Sequence, residues 1–227
     1  MSAKLRCRIL RQLMIIAAMF FAGLAAGPAP AQEARDAIGT VSRIQGDASG
    51  TRGGATQALG LNASVSVNES VSTGAAGRLE ITFKDNTRVT LGENARLTLD
   101  RYIFNPATKR RMVRMKVVGA FRFISGKVAN VARSDVKITT PVANVGVRGT
   151  DFWAGSIDDQ ALGVFLMEGA VQVSNAAGTQ TLDRPGQGTN IGARGKAPGL
   201  VTLWPQAKID RGDCGIPIVP TFSRGNR

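Results

Sequence analysis

The sequence contains no histidine, only two cysteines and few aromatic residues, which make up 5% of its 227 positions. The lack of histidine removes the commonest general base and metal ligand. Cys7 lies in a basic N-terminal segment that we expect to be removed, so Cys214 would be left without a partner for an internal disulfide. The fold must therefore rest on its hydrophobic core.

The remaining residues do not indicate an active site. Ser125 and Cys214 have no identifiable base, so the sequence gives no support for a nucleophile. The adjacent Asp158-Asp159 pair is interpreted as an exposed turn, because a hard cation needs more oxygen ligands than two carboxylates provide. We predict no catalytic residue, no metal site and no cofactor, and we expect a protein that is not an enzyme.

The N-terminus is typical of a secretory signal peptide. Its basic start, apolar run and small-residue cleavage site are Lys4, Arg6, Arg8 and Arg11, then Leu13 to Ala26, then Ala29-Pro30-Ala31. An uncleaved anchor is the alternative, but the run is shorter than the roughly 20 residues that a spanning helix needs. Residues 1–31 are predicted to be removed, which leaves a periplasmic or secreted chain with at most peripheral membrane association.

The chain is strongly basic, with 29 Lys and Arg against 16 Asp and Glu. Removal of residues 1–31 takes away four basic residues and no acidic one, so 25 remain against 16, a net charge of about +9. Such a charge favours an anionic partner in the cell envelope, such as lipid headgroups, acidic polysaccharide or the cell wall. We expect an envelope protein or an anionic glycan as partner and no nucleic acid, while the oligomeric state stays open.

Short strands separated by turns fill the interior of the sequence. Residues 78–81, 88–91 and 96–99 each read arginine, apolar, polar, apolar, and turn residues lie between them at 84–86 and 92–94. Residues 111–117 form a second block with apolar side chains at 113, 115 and 117. This pattern predicts an all-β fold, a short-stranded β-roll or a β-solenoid.

A weak internal repeat accompanies this pattern. Gln57-Ala58-Leu59 begins eleven residues after Gly46, and Gln180-Thr181-Leu182 begins eleven residues after Gly169, each preceded by threonine. We interpret the repeat as a sign of two related β-units.

These residues resemble the FecR (ferric-citrate regulator) domain family of bacterial envelope proteins. The stretches that carry the resemblance are residues 38–41, 44–46, 71–74, 79–85, 140–152, 168–173 and 185–187, which together cover most of 38–192. One departure is Asp85-Asn86-Thr87, where the family usually has Asp-Gly-Ser; asparagine also tolerates the left-handed turn conformation.

The resemblance implies an all-β extracytoplasmic domain, often the sensing part of a transducer that controls a sigma factor in iron-transport systems. That mechanism needs a cytoplasmic anti-sigma segment before a membrane helix, and only residues 1–12 precede the apolar run. We therefore expect the periplasmic domain alone, as a FecR-like domain at 32–194 followed by a Pro/Gly-rich C-terminal tail at 195–227.

The most specific stretch is NVGVRGTDFW, residues 144–153. A phosphate-binding loop of the Walker type needs a lysine after a longer glycine spacing and then a helix, and neither is present. The interpretation is mainly structural: glycines at a bend, Phe152 packed inside, and Arg148 paired with a carboxylate or carbonyls, with Glu168 as a candidate partner. The alternative is an arginine that grips an anion. The motif residues are Gly146, Arg148, Gly149, Thr150, Phe152, Glu168 and Gly169.

A basic segment at 109–116 is the second candidate site. Arg111, Arg114 and Lys116 are predicted to form a possible anion-binding stripe along one strand. The alternative is a strand edge whose charges discourage aggregation.

Overall fold

The computed structural model describes residues 37–105, 107–108, 110–126, 134–212 and 216, all within one compact unit. The predicted signal peptide, residues 1–31, and Cys214 lie outside the described residues. The described chain consists almost entirely of β-strands, which confirms the all-β prediction.

Sixteen strands of the described chain form one sheet. Their bounds are β1 Ala37–Gln45, β2 Ala48–Arg52, β3 Ala55–Ala58, β4 Ser64–Ser66, β5 Ser70–Thr73, β6 Arg78–Phe83, β7 Arg88–Leu91, β8 Arg96–Asn105, β9 Arg110–Val118, β10 Phe121–Ile124, β11 Ser134–Thr139, β12 Asn144–Ile157, β13 Gln160–Asn175, β14 Gly178–Leu182, β15 Gln187–Ile191 and β16 Thr202–Leu203. The pairs are antiparallel apart from β9 with β11.

The sheet has two halves that meet in the long strand β12. The first half-sheet runs β3-β2-β5-β8-β9-β11 to residues 144–148 of β12, and the second runs from residues 151–154 through β10-β7-β6-β1-β4. Strand β13 accompanies β12 through both halves. The sheet is curled, because Leu97 and Val113 of the first half belong to the same buried cluster as Leu79 and Phe121 of the second.

The three arginine-led segments form strands that begin at Arg78, Arg88 and Arg96, and their apolar side chains are fully buried. Strands β6 and β7 make a hairpin whose turn includes Asn86 at φ 62°, the left-handed conformation expected there. Strand β8 does not continue this hairpin but pairs with β5 and β9 in the other half. Alternation thus identified the inner faces of the strands but not their neighbours.

The repeated sequence lies in two hairpins at opposite ends of the first half-sheet. Strand β3 pairs with β2 at one end, and β14 pairs with the C-terminal part of β13 at the other. Each repeat ends in a buried leucine, Leu59 or Leu182. The two hairpins therefore occupy corresponding edge positions.

Part of the predicted C-terminal tail packs on the sheet. Strand β16 pairs with β15, and Trp204 is buried with its ring centroid 5.5 Å from that of Phe165 and 6.4 Å from that of Trp153. A helix, α1, follows at Gln206–Gly212. Seven residues do not cross a bilayer, and the described chain has no other helix that would. The division between domain and tail at residue 194 stays a prediction.

The Asp158-Asp159 turn joins β12 to β13 and holds helix α1. Both residues have positive φ, 50° and 59°, as in the tight two-residue loops of β-hairpins. The Asp158 carboxylate accepts hydrogen bonds of 2.8 and 3.1 Å from Arg211 and lies 3.5 Å from Lys208 Nζ, which is 4.2 Å from the Trp204 ring centroid. These contacts, chiefly the Arg211 hydrogen bonds, lower the pKa of Asp158.

Acidification is expected to loosen helix α1. The pKa of Asp158 is lower in the folded chain than in the unfolded chain, where it is about 3.9. The ionised carboxylate therefore stabilises the docked helix fully above the unfolded pKa, and this stabilisation is lost as pH falls through the folded pKa. Tryptophan emission reports loosening of the helix directly, since the only two tryptophans of the sequence, Trp153 and Trp204, lie in the apolar cluster on which Ile209 of helix α1 packs. We expect the emission maximum to move to longer wavelength at low pH. The variant Asp158→Asn should show the same shift at neutral pH. An unchanged spectrum in that variant would contradict the role of Asp158.

Candidate functional site

The family motif lies on β12, where alternation divides its residues between two faces. Val145 and Val147 are buried in the core, while Gly146 and Arg148 belong to the outer face of the first half-sheet. This outer face carries the polar side chains of the motif.

Gly149 and Gly169 form the bend between the two halves of the sheet. Their φ values are 60° and 82°, in the region that favours glycine, and the β12–β13 register shifts between Arg148 and Asp151. A Cβ on Gly169 would lie 1.9 Å from the carbonyl oxygen of Gly149. The two glycines thus allow both strands of the hairpin to bend at the same level.

Thr150 and Phe152 hold the chain just beyond the bend. Thr150 Oγ1 donates a 2.7 Å hydrogen bond to the Ala170 carbonyl, and the Thr150 N–H donates to Ser125 Oγ at 3.1 Å. Phe152 is fully buried, with ring centroids 5.8 Å from those of both Phe121 and Phe123. These contacts are structural.

An ion pair beside the bend was missed by the sequence analysis. Arg122 donates to both carboxylate oxygens of Asp151, at 2.9 and 2.7 Å, and both side chains are largely buried. Alternation with Phe121 and Phe123 places Arg122 on the opposite face of β10, so no sequence pattern indicated that its side chain would be buried. Because the side chain is buried, the cation requires a nearby acid, which Asp151 provides.

Arg148 and Glu168 are both exposed and do not pair with each other. Among the described residues neither side chain makes an ion pair or a hydrogen bond, so the candidate Arg148–Glu168 pair is not formed. The register explains the separation, because Arg148 is opposite Ala170 whereas Glu168 is opposite Asp151, on the other side of the bend.

Arg111 does not belong to an exposed stripe with Arg114 and Lys116, and the prediction that it does is wrong. Its side chain is 1% exposed, on the inner face of β9 with Val113 and Met115. Arg111 and Arg114 are three positions apart, and an odd spacing places two strand residues on opposite faces.

The buried Arg111 side chain belongs to a polar cluster around the β6–β7 turn. Arg111 Nε lies 2.7 Å from Asp85 Oδ2, and its Nη2 donates a 2.6 Å hydrogen bond to Thr87 Oγ1. Thr87 Oγ1 donates in turn to Asp85 Oδ2 at 2.9 Å and accepts from the Gly126 N–H at 3.2 Å. The threonine hydroxyl thus uses its one proton and both lone pairs.

Burial changes the ionisation of this cluster. Desolvation lowers the pKa of Arg111, opposed by the attraction of Asp85 and Tyr102. Burial and then the Asp85 charge raise the pKa of Tyr102, whose hydroxyl accepts a 3.1 Å hydrogen bond from the Asp85 N–H. Asp85 and Arg111 therefore form a buried ion pair with a structural role.

Arg114 and Lys116 do lie on the outer face, each beside an acid. Arg114 forms an ion pair with Asp135, and the hydrogen bond from Arg114 lowers the pKa of the Asp135 carboxyl. Lys116 Nζ lies 3.0 Å from Asp100 Oδ2. In the described chain no group of three or more His, Cys, Asp or Glu side chains is arranged to hold a metal ion.

A cationic row, which we define as Arg101, Arg114 and Lys137, crosses three neighbouring strands of this face. Arg101 is directly opposite Arg114 on β8 and β9, and Arg114 is opposite Lys137 on β11. Gly146 of β12 is next to Lys137. Within the described residues only Arg114 of this row has an ion pair. The row offers charge and hydrogen-bond donors to an anion.

The two arginines of β9 are expected to differ sharply in their effect on stability. Arg111→Ala leaves Asp85 buried and unpaired, so it should lower the free energy of unfolding by about 3–5 kcal/mol. Arg114→Ala, the matched control on the same strand, removes an exposed pair and should cost less than about 1 kcal/mol. Urea denaturation of the purified variants measures both values. Similar losses of unfolding free energy in the two variants would contradict a buried structural role for Arg111 and an exposed position for Arg114.

The bend is expected to require glycine at both positions. Gly149→Val and Gly169→Ala should each lower the free energy of unfolding by at least about 1–3 kcal/mol, because both place a side chain on backbone with positive φ. Gly60→Ala is the control, since a Cβ there meets open space at ordinary φ. The measurement is the midpoint temperature of thermal unfolding. If the three variants have the same midpoint, the bend tolerates side chains.

Comparison with known proteins finds a family match for the central part of the chain. Residues 69–172, from the start of β5 into β13, match the family described as FecR protein. No curated protein has a significant match. Two crystal structures of a proposed anti-sigma factor from Parabacteroides distasonis ATCC 8503 are similar at 20% and 22% identity, each with a TM-score of 0.44. Each match covers 59% of this chain and 59% of the other. The family match confirms the resemblance seen in the motifs: residues 69–172 of this chain match a FecR domain.

Proposed function

We propose that this FecR-domain protein is an exported, non-enzymatic binding module of the bacterial cell envelope that holds an anionic partner on the outer face of its first half-sheet. The observation that carries the proposal is the cationic row. Like charges directly opposite each other on neighbouring strands destabilise a sheet, and here Arg114 has a cation on both sides. A local arrangement that costs stability is most often found where function requires it.

The wider face has the same sign of charge. Strands β8, β9, β11 and residues 144–148 of β12 place seven cations there and two acids, Asp100 and Asp135. The seven cations are Arg96, Arg101, Arg110, Arg114, Lys116, Lys137 and Arg148. Such a surface attracts polyanions over about a Debye length, roughly 8–10 Å at physiological salt.

The partner is an anionic glycan, a cell-wall component or an acidic surface of an envelope protein. This choice rests on the signal-like N-terminus, which directs the chain to the periplasm or the exterior. Acidic polymers are abundant neighbours for a basic face in either location.

A sensory role in a sigma-factor system is the second candidate function, and the FecR family match favours it. In that case the outer face would bind a transducer protein rather than a polymer. The two functions differ in their effect on transcription. Deletion of the gene should alter a sigma-factor-dependent set of transcripts only if the sensory role is correct, whereas a binding module should leave those transcripts unchanged.

Neutralising the cationic row is expected to weaken binding to an acidic polymer. The triple variant Arg101→Gln, Arg114→Gln and Lys137→Gln should raise the Kd for alginate by about tenfold or more, equivalent to about 1.4 kcal/mol, and should flatten its dependence on salt. Isothermal titration calorimetry at several salt concentrations measures both effects.

The control variant loses the same charge elsewhere. Lys84, Arg88 and Arg194 are exposed and make no ion pair among the described residues, so their replacement by Gln should affect binding far less. Equal losses in the two variants would show that net charge alone attracts the polymer and would remove the support for a specific face.

A further inference from the structure

The fold does not explain why residue 146 is glycine. Gly146 has no positive φ, unlike Gly149 and Gly169. A Cβ at this position would lie 3.8 Å from the Gln172 carbonyl oxygen and 3.9 Å from Gln172 Cβ, which is ordinary van der Waals contact. Glycine weakens the interior of a strand, and it often marks a place where a ligand approaches the backbone closely.

Four long polar side chains surround this position. Lys137 and Gln172 are directly opposite Gly146 on the two neighbouring strands. Asn144 and Arg148 are two residues away along β12 and share its outer face. The missing side chain therefore leaves a groove whose floor is the backbone of β12.

The walls of the groove provide both charge and amide groups. Lys137 and Arg148 are exposed and make no ion pair within the described part of the chain, so both are available to an acidic group. Asn144 Oδ1 accepts a 3.0 Å hydrogen bond from Thr139 Oγ1, which leaves its amide NH2 to donate elsewhere. Gln172 is exposed on the opposite wall. Cations with neighbouring amides suit a sugar that carries a carboxylate and hydroxyls.

The cationic row leads into this groove. Arg101, Arg114, Lys137 and Gly146 follow one another across strands that are about 4.8 Å apart. An extended polymer that crosses the strands along this line would meet a cation at each strand and then the open floor at Gly146.

We infer that Gly146 forms the floor of a groove that binds a uronate-type acidic polysaccharide, an inference that rests on the proposed binding function of this face. A lipid bilayer presents a smooth surface that would contact the tips of the cations and not the floor. Single-stranded nucleic acid is bound largely by aromatic stacking, and the residues around Gly146 are lysine, glutamine, asparagine and arginine.

The test fills the groove without changing its charge. Gly146→Val in the full chain should weaken binding of alginate oligosaccharides by about tenfold or more in calorimetry, while the unfolding midpoint is unchanged or raised. Binding to vesicles of phosphatidylglycerol and phosphatidylcholine should not change. Gly60→Val, another glycine with room for a side chain, is the matched control and should bind alginate like the unmodified chain. Maltooligosaccharides of the same length should bind to none of the proteins.

Each other outcome has a definite meaning. If Gly146→Val binds alginate as tightly as the unmodified chain, the groove is not the site and the inference is overturned. If the chain binds vesicles but not alginate, the face serves lipid, and the inference fails while an anionic partner stands. If the cationic-row variant also leaves all binding unchanged, the proposed function itself fails. Should valine impair folding, Gly146→Ala and Gln172→Ala test the floor and one wall separately.

Discussion

The bend at Gly149 and Gly169 is the constraint on which the rest of the structure depends. Because both strands of one hairpin bend at the same level, β12 and β13 can serve first one half of the sheet and then the other. The halves then bury their inner faces in one cluster, with a single long hairpin joining them. Without the bend, residues 144–148 and 151–157 would continue in one direction, and the inner faces of the two half-sheets would not pack against each other.

Two buried ion pairs lie beside the core, and each connects a different pair of elements. Arg122 and Asp151 join β10 to β12 immediately beyond the bend. Arg111 and Asp85 join β9, in the first half-sheet, to the β6–β7 turn in the second. Burying such pairs adds little net stability, but losing one partner is costly. We therefore interpret them as determinants of how the halves align, with the hydrophobic cluster as the source of stability.

Local patterns predicted the faces of the strands well, because the alternation of side chains is a property of the backbone alone. The same rule places Arg111 and Arg114 on opposite faces of β9, because their positions differ by three; only their shared charge suggested a common stripe. Strand partners were not predictable in this way, since β8 pairs with β5 and β9 and not with β7, the strand that precedes it. Helix α1 gave no periodic signal, because seven residues among prolines and glycines are too few to show one.

The glycines of the motif have different physical explanations, although the sequence presents them together. Gly149 needs its positive φ, and Gly169 also has no space for a Cβ, so the fold alone accounts for both. Gly146 has neither constraint, and it lies where a row of cations ends. A sequence motif therefore combines residues that make the bend with one that the bend does not require. Backbone conformation and free space around each glycine separate these roles, and only the glycine that folding leaves unexplained is evidence for a ligand.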